Sequence, residues 1–220
     1  MPDARKKVVL LGKGDLAIAV AEWFHDAPGY ELAFVVPVIP EPGWTGSLSA
    51  WARGAGVSIV ESGHYRDLPA PPAGGWDLAF SVFYDKIIRQ GFIDCCKRIL
   101  NLHNGPLPRY RGVSPINWAL KNGEDHHGVT IHEITAGVDD GPIVAQSIYS
   151  IYLEFDEVRA VLQRATAYGW TLFQQTMPLI DQIVARQQDH EVATFYHSRD
   201  NDKLGERRYF TRAESLAKLG

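Results

Sequence analysis

The sequence predicts an α/β protein built on one open, mostly parallel β-sheet. Apolar runs rich in Val, Leu and Ile, typical of buried strands, alternate with segments whose apolar residues recur at helical spacing. The 220 residues suffice for one domain, and their 45% apolar content is that of a globular protein with a core. No apolar run approaches the roughly 20 residues of a membrane-spanning helix, so no membrane partner is expected.

The first half of the chain alternates predicted strands with predicted helices. Strands are predicted over residues 7–12, 31–36, 57–60, 77–83 and 98–102. Helices are predicted over 15–24, 47–53 and 84–96, with a proline-, alanine- and glycine-rich surface loop over 66–75. Parallel strands need crossover connections, usually helices, so this alternation indicates a parallel sheet.

The second half predicts a helix, two paired strands and a long helix. Ser114 suits an N-cap, Pro115 a first helical position and Gly123 a C-terminal cap, which together bound a helix over 114–123. Strands over 128–134 and 143–151 are expected to pair as a hairpin added to the sheet. A helix follows over 157–186, with a kink or break at Pro178.

The expected organisation is a main domain over residues 1–188 and a short polar extension over 189–220 that is not a separate domain. The extension is predicted to carry a short strand over 192–196. The net charge of -4 and the pI near 6.0 give no sign of a nucleic-acid-binding surface. Since the first residues lack an apolar signal core, a cytoplasmic protein is expected.

The cysteines and histidines predict neither a disulfide nor a metal site. A disulfide between the adjacent Cys95 and Cys96 would be strained, so both are expected to be buried free thiols. His126 and His127 would point to opposite faces of a strand, and no Cys or carboxylate is placed to complete a ligand set.

Residues 12–17 match the G-x-G-x-x-G/A fingerprint of dinucleotide sites, between a strand and a helix. That fold places a carboxylate at the end of the second strand to hold the ribose. Here residues 35–38 read Val-Val-Pro-Val, and the first carboxylate is Glu41. A nicotinamide cofactor is therefore disfavoured, and the turn is expected to serve tight packing or another ligand.

Asn101 and His103 lie two apart at the end of a predicted strand, so both side chains should point to one face. An amide can donate to a developing oxyanion and an imidazole can move a proton, which suits work on a carbonyl group. Gly137 and Gly141 allow a sharp turn that would present Asp139 to His103 and hold its tautomer. Alternatively, Asp139 is simply a turn former.

Three segments together resemble the 10-formyltetrahydrofolate-dependent formyltransferases, which include methionyl-tRNA, glycinamide-ribonucleotide and nucleotide-sugar enzymes. They are residues 101–112 (Asn-Leu-His-Asn-Gly-Pro-Leu-Pro-Arg-Tyr-Arg-Gly), 128–132 (Gly-Val-Thr-Ile-His) and 138–142 (Val-Asp-Asp-Gly-Pro). The resemblance runs from residue 7 to about residue 180. It implies an open, mostly parallel Rossmann-like sheet with an added β-hairpin and long helix. It also implies 10-formyltetrahydrofolate as formyl donor and tetrahydrofolate as product.

The resemblance also implies site residues. The family's catalytic Asn, His and Asp fall here on Asn101, His103 and Asp139. The residues implied to line the pterin pocket, from the segment after the fourth strand and the loop before the Asp, are Phe83, Tyr84, Asp85, Lys86, Ile87, Ile88, Thr135, Ala136, Gly137 and Val138. Candidate contacts to the acceptor are Lys86, Arg109, Tyr110 and Arg111, with solvated loop charges as the alternative.

The acceptor is expected by subtraction. The tRNA enzymes carry a second C-terminal β domain, for which too few residues follow the long helix, and the acidic net charge argues against a tRNA grip. The glycinamide-ribonucleotide enzymes usually lack the Arg-Tyr-Arg-Gly form. Residues 84–88 and 203–211 look closest to the compact nucleotide-sugar N-formyltransferases. These act on dTDP- or GDP-linked 4-amino-4,6-dideoxyhexoses, as used for lipopolysaccharide O-antigen, and a homodimer is expected.

The implied reaction is attack of the neutral acceptor amine on the formyl carbon. Asn101 and His103 would stabilise the oxyanion, while Asp139 would orient His103 and help pass the proton to the leaving nitrogen. Departures at 105–108 and 138–142 from the family's Ser-Leu-Leu-Pro and Leu-Asp-Thr-Gly-Pro affect the acceptor pocket rather than the catalytic groups. The alternatives are another small amine such as glycinamide ribonucleotide, a 10-formyltetrahydrofolate hydrolase, a non-catalytic folate- or nucleotide-binding domain and an NAD enzyme.

Overall fold

The computed structural model describes residues 5–205. The strands are β1 (Lys6–Gly12), β2 (Tyr30–Pro37), β3 (Ser58–Ile59), β4 (Leu78–Val82), β5 (Ile99–His103), β6 (Arg111–Gly112), β7 (His126–Glu133), β8 (Ile143–Ser150) and β9 (Phe195–Tyr196). The α-helices are α1 (Gly14–Asp26), α2 (Leu48–Ala55), α3 (Gln90–Ile93), α4 (Pro115–Asn122) and α5 (Val158–Thr176). Short 3₁₀ helices cover Tyr65–Asp67, Met177–Leu179 and Ser198–Leu204.

Seven strands form the main sheet in the order β3-β2-β1-β4-β5-β7-β8. The pairs β1/β2, β1/β4, β2/β3 and β4/β5 are parallel, which confirms the predicted open, mostly parallel α/β class. β7 runs against β5, because Ile134 donates its N–H to the Ile99 carbonyl while His132 lies beside Asn101. The predicted pair of added strands is confirmed in β7 and β8, which are neighbours at one end of the sheet.

The core lies on the central strands. All five residues of β4 are buried, as are Val8 to Leu11 of β1. Parallel strands that are covered on both faces have such nearly continuous apolar sequences. α1 packs on β1 and β2 with a buried stripe that includes Leu16, Val20 and Phe24 at helical spacing. This buried core therefore fixes the carboxyl ends of the strands, where the polar residues of β5 lie.

The glycine turn before α1 is used for packing. Gly14 has φ +80°, and a Cβ there would lie 2.9 Å from the Thr45 hydroxyl. The Asp15 N–H donates to Thr45 Oγ1 at 3.1 Å, and the Gly46 N–H donates to Asp15 Oδ1 at 2.9 Å. A loop of the same chain thus bonds the first turn of α1, where a dinucleotide would place its phosphates. This favours the packing interpretation of the fingerprint.

The helix predicted over 84–96 is wrong, because only Gln90–Ile93 is helical. β4 is followed by Phe83 in the left-handed region, at φ +56°, which turns the chain out of line with a helix. Ile88 and Phe92 are nevertheless buried in the core, and they supplied the apolar spacing that mimicked a helix. Cys95 and Cys96 follow as half-buried free thiols, and burial raises the pKa of Cys96 to about 12.

The helix predicted over 157–186 is too long. α5 ends at Thr176, and Pro178 lies in the following 3₁₀ helix, since proline cannot donate the next helical hydrogen bond. Further along, Arg186 and Ile143 exchange two backbone hydrogen bonds, at 2.7 and 2.8 Å, so the chain returns alongside β8 in extended form. The short strand predicted over 192–196 is confirmed by β9, which pairs in parallel with β6.

The chain divides into two compact units. Within residues 5–205, the first unit contains 5–103 and Ile131–Gly141, and the second contains Asn104–Thr130 and 142–205. In the second unit, Tyr196 stacks on Trp118 at 4.5 Å and on Tyr110 at 5.6 Å between ring centroids. Of the helices within residues 5–205, none has both the length and the apolarity needed to cross a membrane.

Candidate active site

The candidate site lies in the first unit, at the carboxyl end of β5. Asn101 pairs with Ser81 of β4 in the parallel register and is half-buried, whereas His103 is buried. The intervening Leu102 is buried too, as expected of a central strand. Alternation along β5 therefore delivers an amide and an imidazole side by side.

Asp139 completes the predicted set. Its Oδ2 lies 3.5 Å from His103 Nδ1, and its Oδ1 accepts from Asn101 Nδ2 at 3.4 Å. The Asp139 side chain is 14% exposed, so the carboxylate is largely desolvated. The structure thus brings Asn101, His103 and Asp139 together, with one carboxylate oxygen toward each partner. A carboxylate at Nδ1 selects the tautomer whose Nε2 can exchange protons with a substrate.

The loop that presents Asp139 is built by close approach. A Cβ at Gly141 would lie 1.9 Å from the Glu133 carbonyl oxygen, and one at Gly137 would lie 2.0 Å from Asp140 Oδ2. Neither glycine has positive φ; the left-handed residue of the turn is Asp139 itself, at φ +52°. The expectation that glycine freedom alone makes the turn is therefore corrected. Asp139 and Asp140 also differ in role, since the Asp140 carboxylate accepts a hydrogen bond from the Thr135 hydroxyl within the loop.

His132 is a member of the site that the sequence reasoning missed. It lies on β7, is 2% exposed, and its Nε2 is 3.1 Å from Asn101 Nδ2 and 3.4 Å from Asp139 Oδ1. Because an amide nitrogen can only donate, Nε2 accepts, and Nδ1 donates to the Glu133 carbonyl at 2.8 Å. His132 is too buried to meet a substrate, so it orients the Asn101 amide. Its place at the end of the 128–132 motif was the available signal.

The four side chains form a proton-handling site with an amide donor. The Asn101 amide spends its two hydrogens on His132 Nε2 and Asp139 Oδ1, and the 3.4 Å contact to Asp139 is the weaker. Catalytic hydrogen bonds often shorten or exchange when substrate orders a site, so this hydrogen is the one available to an oxyanion. Within residues 5–205 no group of three His, Cys, Asp or Glu side chains is placed to hold a metal ion.

The segment predicted to line a pterin pocket after β4 is an irregular loop. The Ile87 side chain is 55% exposed, whereas the Ile88 side chain is buried in the core. Lys86 pairs with Asp85 at 3.1 Å and lies 5.3 Å from the Tyr84 ring centroid. In the other predicted segment, Thr135 is half-buried, while Ala136, Gly137 and Val138 are exposed.

The predicted acceptor contacts at 109–111 belong to the second unit and are engaged there. Arg109 forms an ion pair with Glu124, which also accepts from the Tyr110 hydroxyl at 2.6 Å. Burial raises the pKa of Tyr110 to about 12, so this hydroxyl remains a donor. Arg111 is 8% exposed and donates from Nε and Nη2 to Gln188 Oε1, at 3.0 and 2.6 Å. Both arginine side chains therefore have partners within the second unit.

Comparison with known proteins identifies the domain. Residues 73–177, which include the candidate site, match the family described as formyl transferase. The methionyl-tRNA formyltransferase of Roseobacter denitrificans is 32% identical over 200 residues, covering 86% of this chain and 65% of that protein. The chain spans between 19% and 65% of the length of the curated relatives it matches first.

Two solved structures share the fold. WlaRD, a sugar 3N-formyl transferase crystallised with dTDP and 5-N-formyl-THF, superposes with TM-score 0.81 at 22% identity, over 98% of this chain and 78% of that one. PseJ of Anoxybacillus kamchatkensis, in complex with UDP-4,6-dideoxy-4-formamido-L-AltNAc and tetrahydrofolate, gives TM-score 0.59 at 26% identity, over 90% and 88%. The motifs, the fold and this match show that residues 73–177 form a domain of the formyl transferase family.

Proposed function

We propose that the protein is an N-formyltransferase that moves the formyl group of 10-formyltetrahydrofolate to the amine of a nucleotide-linked amino sugar. The observation that carries the proposal is the cluster at the end of β5. There, Asn101 and His103 both lie within 3.5 Å of the Asp139 carboxylate. An amide donor can stabilise the oxyanion that forms at the formyl carbon, and an imidazole beside a carboxylate can move the proton that the transfer requires.

The two segments assigned to the donor fit a pterin. Both lack helix and strand, so their backbone N–H and C=O groups can read the polar edge of a flat ring. Each also carries an exposed apolar side chain, Ile87 at 55% and Val138 at 37%, that can cover a ring face. When bound, the folate supplies the activated formyl group.

The residues of the cluster divide the reaction between them. Asn101 donates a hydrogen bond to the oxyanion that develops at the formyl carbon, and His103 adds to its stabilisation. Asp139 orients His103 through Nδ1 and helps move the proton from the incoming amine to the leaving nitrogen. His132 keeps the Asn101 amide turned into the site.

The acceptor is the finer part of the proposal. WlaRD is named a sugar 3N-formyl transferase and was crystallised with dTDP, whereas PseJ was crystallised with a UDP-linked 4-formamido sugar. We infer a dTDP- or GDP-linked 4-amino-4,6-dideoxyhexose, with the 3-amino isomer as the nearest competitor.

An acceptor panel tests the assignment. The purified protein is incubated with 10-formyltetrahydrofolate and, separately, dTDP-4-amino-4,6-dideoxyhexose, its 3-amino isomer, glycinamide ribonucleotide and methionyl-tRNA, and the products are analysed by mass spectrometry. We expect one formyl group to be added to an amino sugar. Formylation of methionyl-tRNA in preference to every sugar would replace the proposed acceptor. Formate released equally with and without amines would identify a hydrolase.

A further inference from the structure

Two tyrosines of the first unit each bind the backbone of the segment that carries the other. The Tyr84 hydroxyl donates to the Gly63 carbonyl at 2.9 Å and accepts from the Tyr65 N–H at 3.2 Å. The Tyr65 hydroxyl donates to the Ile87 carbonyl at 3.2 Å and accepts from the Arg89 N–H at 3.1 Å. Both phenols therefore use their donor and an acceptor site on main chain, and the exchange ties residues 63–65 to residues 84–89.

The scaffold behind this tyrosine pair is closely packed. Tyr65 is buried, and its ring packs on Phe92 at 5.1 Å between centroids. Gly63 has φ +65°, and a Cβ there would lie 2.6 Å from the Pro37 carbonyl oxygen, so the carbonyl that Tyr84 binds sits tightly against the end of β2. Burial raises the pKa of Tyr84 to about 12, which keeps its hydroxyl a donor at neutral pH.

The segment that this pair holds has no regular structure to define it. It leaves β4 through Phe83 at φ +56° and reaches α3 only at Gln90. Ile88 anchors it by one buried side chain, while Ile87 beside it is exposed. Tyr84 also packs against the core at the start of the segment. An irregular segment held by so few apolar contacts can adopt many backbone conformations, so the hydrogen bonds at Ile87 and Arg89 select the one that is populated.

We propose that Tyr65 and Tyr84 are positioning residues for the formyl donor, their hydroxyls fixing the backbone of residues 83–89 in the shape that receives the pterin. The inference rests on the proposed function, which assigns 83–88 to the donor. Neither hydroxyl needs to touch the folate. If the pair is broken, only a fraction of molecules retains the competent loop, and the apparent affinity for the donor falls to that fraction of its wild-type value.

Tyr65→Phe and Tyr84→Phe test the proposal, because each removes one hydroxyl and keeps the ring. Calorimetry gives Kd for 5-formyltetrahydrofolate, and steady-state kinetics give kcat and both KM values. We expect the Kd and the donor KM to rise on the order of tenfold in each variant, as for loss of one or two hydrogen bonds. The kcat at saturating donor and the KM of the acceptor should stay close to wild type.

Tyr149→Phe is the matched control. Tyr149 is also buried, but its hydroxyl has no hydrogen-bond partner within residues 5–205, so its removal should leave donor affinity unchanged. If Tyr65→Phe fails to fold, the half-buried Tyr84 carries the test.

Four outcomes would overturn the proposal. In the first, the melting temperature falls while the Kd for 5-formyltetrahydrofolate stays at the wild-type value, which would make the pair merely structural. In the second, the acceptor KM rises as much as the donor KM. In the third, the wild-type protein binds no folate at all, and then the proposed function fails with it. A wild type that formylates its sugar beside unaffected variants overturns the positioning role alone.

Discussion

Asn101 should matter more for activity than for folding. Its amide donates to His132 and Asp139 at the carboxyl end of β5, away from the hydrophobic core. We expect Asn101→Ala to lower kcat about 10²–10³-fold, the usual cost of losing one oxyanion donor, and to stay folded. Kinetics with circular dichroism measure both. Asn201→Ala, in the C-terminal 3₁₀ helix, should keep wild-type turnover. A nearly unchanged kcat would remove Asn101 from the mechanism.

His103 and Asp139 should behave as one unit. The carboxylate acts through the imidazole, so once either is removed the other has little left to contribute. We expect His103→Ala and Asp139→Asn each to be severe, and the double variant to be about as impaired as the worse single one. A double-mutant cycle on kcat/KM measures the coupling. Losses that simply multiply would show that the two residues act independently.

The sequence predicts three of the four side chains of this cluster. Alternation along a strand places Asn101 and His103 on one face, and the turn of residues 137–141 suggests a presented carboxylate. His132 could not be predicted from local pattern, because its contact with Asn101 depends on β7 lying next to β5. Neighbour order in a sheet is set by packing of the whole fold.

At the scale of elements, the loop between β7 and β8 should tolerate no side chain at Gly141. A Cβ there would lie 1.9 Å from the Glu133 carbonyl oxygen, a main-chain atom that cannot move alone. We expect Gly141→Ala to cost about 2–4 kcal/mol of unfolding free energy and to lower kcat by displacing Asp139. Denaturant titration and kinetics measure the two effects.

Gly54→Ala is the control for that substitution. Gly54 lies inside α2, and a Cβ there meets no atom within 4 Å. Because alanine favours a helix more than glycine does, the free energy of unfolding of this variant should rise by about 0.5–1 kcal/mol, with full activity retained. A stable, active Gly141→Ala would show that the Asp139 loop is not set by close approach.

Asp77 joins the starts of three strands. Its carboxylate accepts from the Lys7 N–H at 2.8 Å and pairs with Lys97 at 2.6 Å, just before β4 and β5. Burial raises the pKa of Asp77, but the hydrogen bonds from Lys97 and Lys7 outweigh it and hold the pKa below its usual range. A lowered folded-state pKa gives stability that is present above the unfolded-state pKa of about 4 and lost as the pH falls through the folded value.

We therefore expect Asp77→Asn to lower the free energy of unfolding by about 1 kcal/mol at pH 7, which is the contribution of a partly exposed ion pair. The difference from wild type should shrink as the pH falls from 6 to 3. Urea titrations across this range measure it, with the exposed Asp202→Asn as control. A difference that is the same at every pH would mean that the substitution acts through shape rather than charge.

Helices and strands are predicted correctly where the local apolar pattern determines the secondary structure. The prediction fails where contacts with distant segments determine it. Val8 to Leu11 of β1 and Leu78 to Phe80 of β4 are continuous apolar runs, and they are buried as such runs predict. Residues 84–96 carry apolar residues at helical spacing, yet hydrogen bonds from Tyr65 and Tyr84 hold much of the segment in an irregular path. Such long-range bonds to main chain leave no periodic trace in the sequence.

At the scale of the whole molecule, the parallel α/β sheet with two added strands was predictable because strands and helices alternate clearly. The division into two units was not, since it cuts through β7 and depends on contacts between distant segments. The partners of Arg109 and Arg111 could not be predicted either, because Glu124 and Gln188 lie 15 and 77 residues away in the sequence. The homodimer stays a prediction.

The most direct test follows a carbon-13-labelled formyl group by NMR. Wild type and Asp139→Asn are each supplied with labelled 10-formyltetrahydrofolate and a dTDP-4-amino-4,6-dideoxyhexose. We predict that a labelled formamide grows on the sugar with wild type and is suppressed at least about 100-fold in the variant. Label that appears as free formate, or a formamide formed equally fast by Asp139→Asn, would contradict the claim that this cluster transfers formyl to a sugar amine.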